Sequence, residues 1–343
     1  MTAALVWVVA ALAAVFLLLL VAIVARRWLA DRRGAADGAV RPGVEATLVD
    51  YLATEEDRAP PPPRTVAERR VLREVSLATI GELRGRERER LVTLAERSGI
   101  IAEAEAELRS RRLLRRRAGA EALRQFHSEA SAAALSAALA DPDLETSLSC
   151  AVALAELDDS APIAAVLERA DEACEERPGA AAAILVALGR RHPEALGEAL
   201  DSERSTGLRR LAAAIAGELR LAEHAEALRA ALEDPDDELV ARAARGLGMI
   251  GDAAALERLL ELAAAEDRAW FVRLAATGAL GEIGDERALA PLERELQEGA
   301  WPAQAKAARA LRSLGGRGEA VLRQALGSPR EAVREHARVA LED

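Results

Sequence analysis

Four histidines (His127, His192, His224 and His336), two cysteines (Cys150 and Cys174) and 57 carboxylates are the side chains that could ligate a metal, attack a substrate or move a proton. A zinc site gathers its ligands through short spacings such as CxxC or paired histidines one helical turn apart. Here the histidines are scattered, with no HExxH, no CxxC and no close pair. The expected metal and cofactor content is therefore none. No GxGxxG or GxxxxGKS/T opens a helix after a strand, so nucleotide binding has no support. The carboxylates are too evenly spread for an acid–base pair to be singled out. Two cysteines do not make a disulfide framework and read as buried, reduced thiols of a cytosolic domain. The chain is expected not to be an enzyme, and no catalytic residue is assigned.

The elements that carry these residues are legible from composition. Of 343 residues 81 are alanine, aromatics are 2%, asparagine is absent and Lys306 is the only lysine. Alanine, leucine, arginine and glutamate favour helix, and strand-favouring residues are scarce. An all-β fold is excluded, and a hydrophobic content of 51% excludes general disorder. What remains is closely packed helices with small residues at their contacts. The net charge of −11 is uneven, about +5 over 26–126 and −16 over 127–343. An acidic C-terminal two-thirds argues against nucleic acid as the main ligand.

Residues 3–25 carry no charged and no polar side chain. As a helix they would extend roughly 35 Å, enough to span a bilayer with some tilt. A cleaved signal peptide would need a basic n-region and a shorter apolar run. Arg26, Arg27, Arg32 and Arg33 follow, and no basic residue precedes the segment. The positive-inside rule then places the N-terminus outside and the remainder in the cytoplasm, with Trp28 at headgroup level. The expected location is the cell membrane, single-pass.

Residues 26–64 read as a basic, then proline-rich linker ending in the run Pro60–Pro63, a stiff spacer. Residues 65–109 read as an N-terminal helical cap. Thr65 with Glu68 has the form of a capping box, opening a helix over 66–83, and a second helix is expected over 86–97. Arg109, Arg111, Arg112, Arg115, Arg116 and Arg117 then crowd one helix, leaving Leu108, Leu113 and Leu114 as its apolar stripe. Such a cluster suits anionic lipid, an acidic partner, or simply solvent.

From about residue 110 the sequence repeats. Glu238–Asp252 (ELVARAARGLGMIGD) aligns with Phe271–Asp285 (FVRLAATGALGEIGD) at an offset of 33. One position recurs at Leu123, Leu154, Leu188, Ala216, Leu247, Leu280, Leu311 and Leu341, in steps of 28 to 34. A period near 31 sustained this long indicates a repeat array. Each unit reads as an alanine-rich first helix ending near a glycine (Gly189, Gly217, Gly248, Gly281). A turn follows with Asp159, Asp252 or Asp285 as the cap, then a leucine-rich second helix. Asp141-Pro142, Asp234-Pro235 and Ser328-Pro329 punctuate the joins. Two-helix units bury their apolar faces only by stacking, which predicts an all-α solenoid of about seven and a half units over 110–343.

The pattern Val-Arg-x-x-Ala-Ala-x-x-Leu-Gly-x-x-Gly-Asp, clearest at Val272–Asp285 and Leu239–Asp252, resembles the short HEAT-like repeat of the phycobilisome-lyase type. Its arginine slot is filled by Arg116, Arg209, Arg273 and Arg334, and not in the other units. The resemblance implies a protein-binding scaffold, with bilin attachment or isomerisation in one branch. It speaks for architecture far more than for activity.

Two surfaces are candidates for a protein partner. Trp270 and Trp301, 31 residues apart with Phe271 beside one of them, would share one edge of adjacent repeats. They would either anchor a partner or pack between repeats as indole staples. The other surface is a concave wall made by the second helices, exposing Glu226, Arg229, Glu257, Arg258, Glu261, Glu293 and Arg294. This net acidic face would suit a basic segment. The sequence thus predicts a membrane-anchored cytoplasmic scaffold or adaptor. The alternatives are a ligand-handling protein of the bilin-lyase type and an exported solenoid.

Overall fold

A computed structural model describes residues 32, 34–54, 60–157 and 162–342. The expected anchor (3–25), Arg26, Arg27, Trp28, Arg33 and the Asp159 cap lie outside the described residues, and Arg32 is exposed. Among the described residues there is no strand, and no helix is long and apolar enough to cross a membrane. The chain forms two compact units, one up to Ser131 and the other from Ala132. The expected boundary between cap and array lay at 109/110, so the first repeat position, Leu123, belongs to the first unit.

The first unit holds α1 (34–53), α2 (Val66–Ile80), α3 (Gly85–Arg97), α4 (Ile100–Leu108) and α5 (Leu113–Phe126). Helix α1 stands where the sequence reads as spacer. Gly34, Gly38, Pro42 and Gly43 disfavour a helix, but Leu48 and Tyr51 are buried by it. The Arg90 guanidinium lies 4.4 Å from the Tyr51 ring centroid, and Arg41 pairs with Glu74 at 2.6 Å. Tertiary burial overrides local propensity here. Thr65 caps α2 as expected: Glu68 N donates to Thr65 Oγ1 (3.1 Å) and Thr65 N to Glu68 Oε2 (3.2 Å). The arginine cluster does not lie on one helix. The helix is interrupted at 109–112, Leu108 closes α4 in the core, and Leu113 and Leu114 are exposed at the start of α5.

The second unit is an α-solenoid. After the short α6 (Ala132–Ala137) come the pairs α7 (Leu144–Ala155) with α8 (Ile163–Ala173), α9 (Pro178–Arg191) with α10 (Glu194–Ala199), and α11 (Thr206–Glu218) with α12 (Ala225–Ala231). They continue as α13 (Asp237–Ile250) with α14 (Leu256–Ala264), α15 (Trp270–Ile283) with α16 (Leu289–Glu298), and α17 (Trp301–Ser313) with α18 (Gly316–Ala325), and end in α19 (Glu331–Glu342). The recurring position is fully buried at Leu154, Leu188, Ala216, Leu247, Leu280 and Leu311, and only half-buried at Leu341.

The first helices pack directly on one another, and the second helices scarcely touch each other. Glycine explains the closeness. As expected, α13 and α15 end near Gly248 and Gly281, two residues beyond each; both glycines are buried, and the turns fall at the left-handed Gly251 (φ 80°) and Gly284 (φ 78°). A Cβ on Gly248 would sit 2.7 Å from Ala279 Cα, and one on Gly281 2.6 Å from Ala310 Cα. These glycines permit backbone contact between consecutive repeats.

The caps also fall two residues later than the punctuation suggests. Asp141, Asp234 and Ser328 accept the amides of Asp143, Asp236 and Arg330 in side-chain-closed turns. Asp143 and Asp236 then cap α7 and α13 by accepting Thr146 N (3.0 Å) and Leu239 N (2.8 Å). The arginine slot has a local purpose. Arg273 donates to Arg268 O (2.9 Å) and Arg334 to Ser328 O (2.8 Å), each tying the turn before its helix.

Candidate protein-interaction surface

Two of the four histidines are held in structural roles. His192 Nε2–H donates to Leu157 O and His224 Nε2–H to Pro193 O, both at 2.7 Å. The two histidines are 32 residues apart, and each reaches a carbonyl about one repeat earlier. They are inter-repeat ties, a role their spacing carried unnoticed. His192→Ala and His224→Ala should each lower the unfolding free energy by about 1–2 kcal/mol, because a carbonyl loses its donor. Urea titration checks this, and an unchanged midpoint would show the tie to be idle. Burial pushes the Cys150 thiol up to about 12 and the Cys174 thiol up to about 11. Both stay protonated near neutrality, which makes them poor nucleophiles. Among the described residues no group of three metal-ligating side chains comes together.

Charge is used along the stack in the same way. Arg177 pairs with Glu145 (2.6 Å), and Arg268 with Asp237 (2.8 Å) and the carbonyl of Asp234 (3.1 Å). Arg330 donates to the carbonyl of Gln297. In each case an arginine before a first helix reaches a residue at or next to the end of a helix one repeat earlier. Arg210 Nε lies 2.8 Å from Asp236 Oδ1, and this guanidinium bond holds the Asp236 carboxyl below the usual range.

Both tryptophans are largely exposed, and Trp301 also touches the next repeat. Trp270, the first residue of α15, is 61% exposed, and Trp301, the first residue of α17, is 67% exposed. Trp270 meets the half-buried Phe271 edge-on at 6.0 Å between ring centroids, and Trp301 meets the buried His336 at 5.1 Å. Two grooves open on the layer of first helices. One, of about 510 Å³, is bordered by Ala214, Glu218, Arg242, Arg245, Met249 and Phe271. The other, of about 820 Å³, is bordered by Leu274, Trp301, Lys306, Arg309, Glu335 and Val339.

The second-helix charges are placed elsewhere. Arg229 pairs with Asp252 (2.8 Å), Arg258 with Glu233 (2.8 Å) and Glu261 (2.7 Å), and Glu257 with Arg287 (2.6 Å). Glu226 and Arg294 are exposed and Glu293 is half-buried. The wall expected from the second helices lies on α12, α14 and α16, which scarcely touch one another. Pairing within the wall also uses up much of its charge. The grooves were not foreseen, because the alanine-rich pattern of the first helices reads as buried all round.

Comparison with known proteins agrees with this architecture. The family model described as HEAT repeats matches residues 193–271, and that described as PBS lyase HEAT-like repeat matches 272–298. The chain therefore contains HEAT-type repeats. No curated protein matches the chain. Among solved structures, a mutant of Kap121p is similar at 12% identity and a TM-score of 0.53, covering 88% of this chain and 37% of that one. Kap121p bound to Nup53p is similar at 11% identity and 0.53, covering 88% and 41%. Kap121p bound to Ste12p is similar at 12% identity and 0.53, covering 89% and 41%. The chain thus spans about two fifths of the Kap121p chains, and at these identities the likeness is one of fold.

Proposed function

We propose that this chain is a non-enzymatic scaffold, anchored in the cell membrane by residues 3–25, whose cytoplasmic solenoid binds a protein partner. The observation that carries the reading is the exposure of Trp270 and Trp301 at the first positions of α15 and α17, Trp301 bordering one groove and Trp270 packed against Phe271, which borders the other. Large aromatics left in water at the rim of a groove are the usual anchors of a protein contact. The similar Kap121p structures, seen bound to Nup53p and to Ste12p, support a protein ligand for this kind of array. The apolar segment and the arginines after it support the anchor and the inward orientation. Tethering raises the effective concentration for partners on the same membrane without demanding high intrinsic affinity.

The test is crosslinking of intact cells, purification of the tagged full-length chain and mass spectrometry of what accompanies it. A stoichiometric protein is expected, and Trp270→Ala/Trp301→Ala should weaken its capture about tenfold or more. A preparation without any partner, and carrying a bound small molecule, would overturn the scaffold in favour of ligand handling.

A further inference from the structure

The segment joining α4 to α5 has no use in the fold that accounts for its composition. Arg109, Arg111, Arg112, Arg115 and Arg117 are exposed, and between them Leu114 is 80% and Leu113 41% exposed. Arg109 lies 3.6 Å from Glu105, whereas Arg111, Arg112 and Arg115 have no carboxylate partner among the described residues. The nearby acids of α4 are engaged: Glu107 and Glu103 pair with Arg73. The cluster also sits at the start of α5, where the helix dipole disfavours positive charge. No ion pair among the described residues therefore accounts for Arg111, Arg112 and Arg115, and burial does not account for Leu113 and Leu114.

We infer that this arginine–leucine tip is a docking surface for an anionic lipid bilayer, a second membrane contact that lays the first unit on the inner leaflet. Guanidinium groups pair with lipid phosphates and anionic headgroups. Two exposed leucines in the same turn enter the headgroup–acyl boundary. The tip lies at the break between α4 and α5, where basic and apolar side chains are exposed side by side. A bilayer needs only a projecting, positively charged, apolar-tipped edge. The charge balance of the chain agrees: 26–126 is net basic, and 127–343, strongly acidic, gains nothing at an anionic surface.

This inference rests on the anchoring reading for delivery to the membrane, and the experiment separates the two. The full-length chain carrying Leu114→Cys in a Cys150→Ala/Cys174→Ala background is labelled with an environment-sensitive dye. It is reconstituted into vesicles of phosphatidylcholine alone or with phosphatidylserine. A blue-shifted, brighter dye is expected only with phosphatidylserine, and high salt should reverse it. Arg111→Gln/Arg112→Gln/Arg115→Gln should lower the equilibrium constant for tip contact about a hundredfold. Trypsin cleavage at these arginines in the unsubstituted chain gives a second readout, and protection should appear with the same lipid dependence. Equal signals in both vesicles, or none in either, overturn the inference. Protection that needs a co-purifying acidic protein and ignores lipid also overturns it, assigning the tip to that protein. Release of the chain from phosphatidylcholine vesicles by alkaline carbonate sinks the anchor alone. The tip is then read by flotation with phosphatidylserine vesicles.

Discussion

Leu280→Ala should lower the unfolding stability by about 2–5 kcal/mol, and Leu341→Ala by less than about 1 kcal/mol. Both residues occupy the same repeat position. Leu280 is fully buried in α15, enclosed by repeats on either side, whereas Leu341 is only half-buried in α19. Removing a buried leucine loses its transfer free energy and leaves a cavity. At Leu280 the wall of that cavity includes the tight α13–α15 and α15–α17 contacts, which cannot collapse inward without breaking their backbone approach. Chemical denaturation gives the magnitude. Equal losses at the two positions would mean that the buried register has been misplaced.

The loss also has a spatial form. In a stacked array, stability is the sum of each unit's own term and its interfaces with two neighbours. A defect at Leu280 therefore weakens α15 and both of its interfaces, and leaves the α7–α10 end largely intact. Hydrogen exchange should quicken in α13–α17 well before it does in α7–α10. Uniform acceleration would show the array to be one cooperative block.

The repeat was legible because its signal is periodic: one apolar position every 31 residues or so survives drift in everything else. The grooves on the first-helix layer were not legible. Alanine in Val272–Ile283 and Leu239–Ile250 satisfies any buried surface, so the sequence could not tell a helix–helix face from a groove floor. Gly248 and Gly281 mark the helix ends to within two residues, but their close contact with the next repeat leaves no local mark in the chain. Helix α1 was missed because Pro42 and three glycines speak locally against a helix, and the burial of Leu48 and Tyr51 that outweighs them comes from α2 and α3. The capping box at Thr65 and Glu68 was read correctly because both of its hydrogen bonds lie within four residues. As for the site, Trp270 and Trp301 stood out by rarity, but their exposure depends on which edge of the repeat they occupy.

Gly281→Val should cost about 3 kcal/mol, at the upper end for overpacking, and should also weaken partner binding. Its Cβ would lie 2.6 Å from Ala310 Cα, and relief requires α15 and α17 to separate. Ser313 Oγ, which donates to Gly281 O at 2.8 Å, would lose its alignment in the same movement. Gly179→Ala, in the first turn of α9 with nothing within 4 Å, should instead stabilise the chain by about 0.5 kcal/mol. Opposite signs would show that the glycines serve approach and not flexibility. Trp270 and Trp301 are the first residues of the two helices that Gly281 lets touch, so the spacing of the anchors is set by that contact. A milder separation, with Gly281→Ala, should leave enough folded protein to measure partner capture. Capture that falls in the folded fraction while both tryptophans remain would tie the binding surface to the repeat pitch. Undiminished capture would mean that each tryptophan binds independently of its neighbour.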